Sequence, residues 1–121
     1  MKRVDAFLNA LRGGGTLLAT QAHARFHAAA TVGVIGLGLV ARLAREEWAL
    51  IALAVAIVWM AEAFNTALEF LADEVTMEHR ERIRRAKDVA AFGVLVAAIG
   101  AAGIGVVVFG PRILDWVASA G

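Results

Sequence analysis

Long runs of uncharged residues alternate with short charged stretches along this chain. Val89–Gly110 holds 22 consecutive uncharged residues, enough for a helix with a rise of about 1.5 Å per residue to cross a hydrocarbon core of about 30 Å. The first run is shorter, because its uncharged part, 28–41, spans only about 21 Å, and we expect Arg25 and Arg42 to extend from its ends towards the head groups. The pattern predicts three transmembrane helices, over about residues 26–44, 48–72 and 89–110.

The first 22 residues follow a different pattern. Apolar residues between Val4 and Leu11 recur at helical spacing, and charged residues occupy the other face. A secretory signal peptide needs a continuous apolar core, which the glycines at 13–15 interrupt. We therefore expect an amphipathic helix over about residues 3–22 that lies on the membrane surface.

Composition agrees with a membrane protein. The chain is 60% hydrophobic, compared with about 45–50% in typical soluble domains. It contains no cysteine, which excludes a disulfide framework and a thiolate metal site. We predict a single domain over residues 1–121, an all-α membrane protein with three transmembrane helices and an N-terminal amphipathic surface helix.

The distribution of lysine and arginine predicts the orientation in the membrane. With the N-terminus in the cytosol, only Arg42, Arg45 and Arg112 lie on the outer side. Nine others then face the cytosol, as the positive-inside rule requires: Lys2, Arg3, Arg12, Arg25, Arg80, Arg82, Arg84, Arg85 and Lys87. The charged stretch 73–88 is expected as the cytosolic connection between the second and third spans.

Four polar residues interrupt the second hydrophobic run on one side of its helix. At about 100° per residue, the side chains that project into one sector are those of Glu62, Asn65, Glu69 and Asp73. Glu62 follows 14 uncharged residues, which places it in the inner part of the bilayer, whereas Asp73 reaches the cytosolic water. Because such groups are costly at membrane depth, a functional role is the default hypothesis. The structural alternative is that Glu62 and Asn65 join helices and that Glu69 and Asp73 form a solvated helix end.

The depth of each group suggests its chemistry. A desolvated carboxylate such as Glu62 suits a general base acting on a lipid hydroxyl. Glu69, nearer the water, could hold Mg²⁺, which takes oxygen ligands and bridges substrate phosphates. The basic residues Arg84, Arg85 and Lys87 could neutralise phosphate oxygens, or could serve only as ordinary positive-inside charges.

The residues from Glu62 to Asp73 follow the pattern E-x-x-N-T-A-x-E-x-x-x-D, and R-A-K-D follows at 85–88. This pattern in a membrane helix closely resembles the bacterial diacylglycerol kinase and undecaprenol kinase family of small integral membrane lipid kinases. The resemblance also includes Arg12-Gly13 in the amphipathic start and the A-R-F-H sequence at 24–27, so it covers nearly the whole chain.

The resemblance implies that ATP, with Mg²⁺, phosphorylates a membrane lipid alcohol (undecaprenol or diacylglycerol) at the cytosolic surface of the bacterial plasma membrane. It also implies a homotrimer with sites between subunits. On matching positions, Glu62 would be the catalytic base, and the metal positions would be Glu69 and Gln21. The lipid substrate would contact Arg12, Arg25 and Glu62. The residues that would bind ATP are Asn65, Glu69, Asp73, Glu78, His79, Lys87 and Asp88.

Gln21 departs from the family pattern, because the diacylglycerol kinase branch carries a second metal-binding glutamate there. A glutamine oxygen can ligate a metal but brings no negative charge. Either Glu69 and the phosphates hold the ion with less help, or Asp73 compensates, or activity is weak. The sequence Arg25-Phe26-His27 is more similar to the undecaprenol kinase side of the family.

Two other functions are compatible with the pattern. One is a degenerate, non-catalytic family member, which Gln21 suggests, and the other is a small cation-conducting module that uses the carboxylate row. A conduit should continue polar to the outer side, but Trp48–Ala61 offers no polar side chain beyond its tryptophans. The basic stretch 80–87 is interrupted or flanked by Glu78, Glu81 and Asp88, which favours anionic lipid over nucleic acid as its partner.

His23 and His27 lie one helical turn apart and could bind a metal on one face of the helix. No third ligand is evident in the sequence. We expect them to be polar residues at the membrane interface.

Overall fold

The computed structural model describes residues 2–121, which form four helices and, within that range, no strand. The helices are α1 (Arg3–Thr20), α2 (Ala22–Ala41), α3 (Arg45–Val75) and α4 (Glu81–Ala120). Three of them, α2 to α4, are long and apolar enough to cross a membrane. The predicted fold class is confirmed: an all-helical membrane protein with an additional helix at the N-terminus.

A single extended residue separates α1 from α2. Gln21 has φ −116° and ψ 117°, which breaks the helix without a loop. The guanidinium of Arg25 donates hydrogen bonds from Nη1 to the carbonyl oxygens of Leu18 (3.0 Å) and Ala19 (3.2 Å). These carbonyls have no partner within α1, so Arg25 stabilises the end of the preceding helix and fixes the position of the break.

The turn between α2 and α3 is a Schellman motif. The N–H of Arg42 donates to the carbonyl oxygen of Leu39, and that of Leu43 donates to the carbonyl oxygen of Gly38. Arg42 is left-handed, with φ 54°. Gly38 is required here because a Cβ at that position would lie 2.6 Å from Cη2 of Trp48. The turn thus lets the start of α3 pack directly against the backbone of α2.

We call the two halves of the molecule outer and cytosolic, after the orientation that the lysines and arginines predict, and the hydrophobic core lies in the outer half. It consists of Leu43, Ile51, Val108 and Phe109, with Val34, Trp48, Val55 and Ile104 packed around them. The antiparallel pair α3 and α4 makes most of the contacts between helices. At its outer end, Arg112 donates to both carboxylate oxygens of Glu47, with 2.6 Å from Nη2 to Oε1. At its cytosolic end, Nζ of Lys87 lies 3.0 Å from Oδ1 of Asp73.

The connection between α3 and α4 is shorter than the charged stretch 73–88 suggested. Only residues 76–80 connect the helices, because α4 begins at Glu81. Its first turns are stabilised by the ion pairs Arg84–Glu81, Arg84–Asp88 and Arg85–Glu81, at spacings of three and four residues. Much of the expected basic loop is therefore an amphipathic helical extension of the third span.

The third hydrophobic run also extends further as a helix than its uncharged part. α4 continues through Pro111 to Ala120, although proline removes one backbone donor from a helix. The carbonyl of Val108 accepts a hydrogen bond from the side chain of Arg112 at 2.9 Å. Arg112 thus bonds to the backbone of its own helix and to Glu47 of α3 directly after the proline.

Candidate functional site

The polar row on α3 forms a gradient of exposure. Glu62 is 6% exposed and Thr66 is 4% exposed, so both are buried. Asn65 and Glu69 are half-buried, and Asp73 is exposed. The row therefore passes from the packed interior to the cytosolic end of the helix, in the order that its spacing predicts.

Asn65 and Glu69 lie one helical turn apart and contact each other. Nδ2 of Asn65 donates to Oε1 of Glu69 at 3.5 Å. Oδ1 of Asn65 is buried and accepts no hydrogen bond in the part of the chain that the structure describes. A buried acceptor of this kind is uncommon in folded proteins and needs a donor or a cation. Asn65 lines a cavity of about 350 Å³ together with the small residues Ala90 and Gly93 of α4.

Glu62 has a partner that the sequence alone did not identify. Nε2 of His27, on α2, lies 3.7 Å from Oε2 of Glu62. One turn away, Nε1 of Trp59 donates to Oγ1 of Thr31 at 3.0 Å. From sequence, His27 is expected to be an interfacial polar residue; the structure instead turns it towards the row, because α2 and α3 pack with these faces together. No local motif signals this contact.

The cytosolic end of the row borders a second cavity. Asp73, paired with Lys87 at 3.0 Å, lies at its rim. The cavity has a volume of about 250 Å³, and its other polar lining residues are Thr76, Glu78, His79, Arg80 and Arg84. Four residues that the resemblance connects with ATP therefore line this cavity: Asp73, Glu78, His79 and Lys87.

Asp88 lies next to this cavity, in the first turns of α4. Its Oδ2 accepts a hydrogen bond from Nη1 of Arg84 at 2.7 Å. Hydrogen bonds from Arg84, and then from Arg85, hold the pKa of Glu81 below its ordinary value. Glu81 thus stays ionised and neutralises part of the charge of these two arginines, which leaves Lys87 as the basic residue closest to the row.

Three of the predicted site residues lie on the N-terminal side and have local partners. Nε2 of Gln21 donates to Oγ1 of Thr20 at 3.2 Å. Nη1 of Arg12 donates to Oδ1 of Asn9 at 3.4 Å, and Arg25 binds the last carbonyls of α1. Within residues 2–121, no group of three or more His, Cys, Asp or Glu side chains is arranged to hold a metal ion.

An apolar groove of about 420 Å³ runs from the buried end of the row towards the outer side. Its inner end is formed by His27, Thr31 and Trp59. Beyond them, the residues that line it are mainly apolar, including Val34, Val55, Val58, Ala101 and Gly105. The polar row therefore ends at the groove and does not continue through the bilayer, which disfavours a path for cations.

The sequence matches the family described as prokaryotic diacylglycerol kinase over residues 8–109. The chain belongs to this family. It is also 34% identical, over 108 residues, to the undecaprenol kinase of Bacillus subtilis (strain 168), a match that covers 89% of this chain and 88% of the relative. The resemblance recognised in the Glu62–Asp73 pattern is thereby confirmed. As a member of the prokaryotic diacylglycerol kinase family, the chain is a membrane lipid kinase, a phosphotransferase with an alcohol acceptor and a nucleotide phosphoryl donor.

Proposed function

We propose that this chain transfers the γ-phosphate of ATP, with Mg²⁺, to the hydroxyl of a membrane lipid alcohol at the cytosolic surface. The observation that carries the proposal is the graded row on α3, with a buried carboxylate at Glu62 and an exposed ion pair, Asp73–Lys87, at its other end. A lipid hydroxyl reaches the site from the bilayer and a nucleotide reaches it from the water. The row spans the distance between these two phases.

The chemistry begins at Glu62, which accepts the proton of the lipid hydroxyl as that oxygen attacks the γ-phosphorus. The new O–P bond forms while the bond between the γ-phosphorus and the bridging oxygen of ADP breaks. The products are a lipid phosphate and ADP, and the proton remains on Glu62 until it returns to water. Glu62 is suited to this step because it is the buried carboxylate of the row.

The donor set of α3 fits a magnesium ion. Glu69 offers carboxylate oxygens, and Asn65 offers a buried Oδ1 to which no group within residues 2–121 donates. Mg²⁺ prefers oxygen ligands and keeps part of its shell for phosphates and water. When bound, the ion would neutralise charge on the transferred phosphoryl group. Gln21 is the further metal position that the family resemblance suggests.

The cavity at the cytosolic end is proposed as the nucleotide site. Lys87 would exchange part of its contact with Asp73 for phosphate oxygens, and His79 and Glu78 lie at the same cavity. Asp88 would act through Arg84, its partner at 2.7 Å.

We further propose a multi-pass protein of the bacterial plasma membrane with a cytosolic N-terminus, assembled as a homotrimer. Arg12 and Arg25, on the cytosolic side in this orientation, would contact the lipid head group. The support for the orientation is the excess of lysine and arginine on that side.

For the acceptor we favour undecaprenol over diacylglycerol. The support is the similarity to the undecaprenol kinase of Bacillus subtilis along nearly the full length of both chains. The test is transfer of labelled γ-phosphate from ATP to each lipid by the purified protein in bilayer nanodiscs.

The decisive variant is Glu62→Gln, with Glu74→Gln as its control, because Glu74 is an exposed carboxylate on the same helix. Transfer by the wild type and by Glu74→Gln, together with its loss in Glu62→Gln, supports the proposal. If the wild type transfers phosphate to neither lipid, the proposed acceptor class is wrong; if Glu62→Gln is fully active, the base is wrong.

A further inference from the structure

Two polar contacts join α2 to α3 at the buried end of the row. In the first, His27 faces Glu62, with 3.7 Å between Nε2 and Oε2. In the second, the indole N–H of Trp59 donates to Oγ1 of Thr31 at 3.0 Å. The hydroxyl of Thr31 in turn donates to the carbonyl oxygen of His27 at 2.7 Å, so the two contacts are connected through α2.

The spacing of these contacts fixes the register between the helices. Trp59 and Glu62 are three residues apart on α3, and His27 and Thr31 are four residues apart on α2. Residues three and four apart lie on the same face of a helix, and the two helices run in opposite directions. The two contacts therefore lie about one helical turn apart, and sliding of one helix along the other would break both.

Burial distinguishes the contact between His27 and Glu62 from an ion pair on the surface. The side chain of Glu62 is 7% exposed and that of His27 is 21% exposed. A carboxylate at this depth is unfavourable unless a hydrogen-bond donor or a positive charge faces it. Nε2 of His27 is the polar atom that faces Oε2 of Glu62, at 3.7 Å, and the rings of His27 and Phe26 pack edge to face, with 5.7 Å between ring centroids.

We infer that His27 is a positioning residue for Glu62 in the transfer reaction, an inference that rests on the proposed function. The imidazole holds Oε2 of Glu62 in place, which leaves the other carboxylate oxygen to accept the proton of the lipid hydroxyl. His27 itself touches neither substrate. His27 contributes by orienting the base. The contact between Trp59 and Thr31 keeps the imidazole opposite Glu62 along the length of α3.

The test compares two substitutions of His27 in the purified protein, reconstituted with undecaprenol and with diacylglycerol. The side-chain amide of His27→Gln reaches about as far as Nε2 and keeps an N–H group facing Glu62, whereas that of His27→Asn is too short. We expect His27→Asn to lower kcat by about 10²-fold, the loss associated with misplacing a catalytic group by about 1 Å. His27→Gln should retain most of the kcat, and KM for ATP and for the lipid should change little in both.

Two controls separate positioning from a general structural effect. His23→Gln and His23→Asn change an exposed histidine one turn earlier on α2 and should leave kcat unchanged. In a Glu62→Gln background, His27→Asn should cause no further loss, because there is no base left to orient.

The outcomes are distinguishable. Equal kcat values in His27→Asn, His27→Gln and the wild type would overturn the inference, as would full additivity with Glu62→Gln. Equal losses in both His27 variants, together with a lowered Tm, would assign His27 a structural role only and would also overturn it. Failure of the wild type to phosphorylate either lipid would instead contradict the proposed function.

Discussion

The outer and inner halves of the α3–α4 pair are built in opposite ways. The outer half is apolar, and its buried residues Ile51, Val108 and Phe109 form the hydrophobic core beside the apolar groove. The inner half contains a buried carboxylate, Glu62, and, on Asn65, a buried acceptor that has no donor among the residues described. Apolar packing is thus concentrated in the outer half and buried polar groups in the inner half. The outer half can therefore hold the helices together while the inner half remains free to bind substrates.

The ion pairs at the two ends of these helices show the same contrast. Arg112 and Glu47 have side chains that are 27% and 24% exposed, and they make several hydrogen bonds, including one from the backbone N–H of Ala44 to Glu47 at 3.0 Å. Lys87 and Asp73 are 38% and 50% exposed and make a single contact. The outer pair is held in place by several hydrogen bonds, whereas the inner pair can exchange partners at little cost in free energy.

The strongest test of this contrast is a pair of variants, one in each half. Glu62→Gln should lower turnover by roughly 10²- to 10⁴-fold, the usual contribution of a general base, with little change in Tm. Arg112→Met should do the reverse, lowering Tm because Glu47 loses its partner, with turnover retained below the new Tm. Thermal unfolding in detergent and labelled-phosphate assays measure both. Equal effects of the two variants on Tm would mean that the halves do not divide stability from chemistry.

The inner ion pair gives the next prediction. Lys87→Met should raise KM for ATP by roughly tenfold or more, the effect of losing a hydrogen bond to a charged phosphate, and should leave the Tm nearly unchanged. Arg82→Met is the matched control, because Arg82 is exposed in the first turns of the same helix. A similar rise of KM in both variants would reduce the role of Lys87 to general positive charge.

The next prediction concerns Gln21, where a substitution should improve the response to Mg²⁺ and should have a smaller effect than the losses described above. Gln21→Glu adds a negative charge at the position that the family resemblance assigns to a metal-binding glutamate, and it should lower the Mg²⁺ concentration needed for half-maximal activity by several-fold. Titration of activity with Mg²⁺ at fixed ATP measures it, with Gln21→Ala shifting the curve in the other direction. Unchanged curves in both variants would place Gln21 outside the metal site.

The smallest prediction concerns the outer turn. Arg42 is left-handed at φ 54°, a conformation that costs a non-glycine residue about 1–2 kcal/mol. Arg42→Gly should therefore stabilise the protein by roughly 1 kcal/mol and raise its Tm, with no change in KM or kcat. Arg45→Gly, which places glycine in the first turn of α3, should instead lower the Tm, and a rise in that variant would contradict the explanation.

The helices and the polar row could be predicted because each depends on local periodicity. Uncharged runs identify the spans, and the spacing of Glu62, Asn65, Glu69 and Asp73 places them on one face whatever the helix packs against. The depth of Glu62 followed from counting residues along the same helix. The contact between His27 and Glu62 depends instead on how α2 and α3 are aligned, which no property of either segment specifies.

The ends of α4 were less predictable for a related reason. A charged stretch and a proline both suggest the end of a hydrophobic span. At the start of α4, Glu81, Arg84 and Asp88 pair with each other and stabilise the helix. The helix also continues past Pro111, where Arg112 bonds to the carbonyl oxygen of Val108 and to Glu47. The start of α4 thus depends on side-chain partners three to four residues away, which a count of uncharged residues does not detect.

The single-residue break at Gln21 sets the distance along α2 from the surface helix to the contact between His27 and Glu62. With α1 at the level of the head groups, α2 turns into the bilayer at Ala22, and His27 follows five residues later, about 7.5 Å along the helix. Its contact with Glu62 sets the carboxylate at that same level. In the proposed mechanism, the surface helix would therefore fix how far below the interface a hydroxyl must lie to be phosphorylated. Alcohols whose hydroxyl group cannot reach that level would be rejected by depth alone, whatever their hydrocarbon chain.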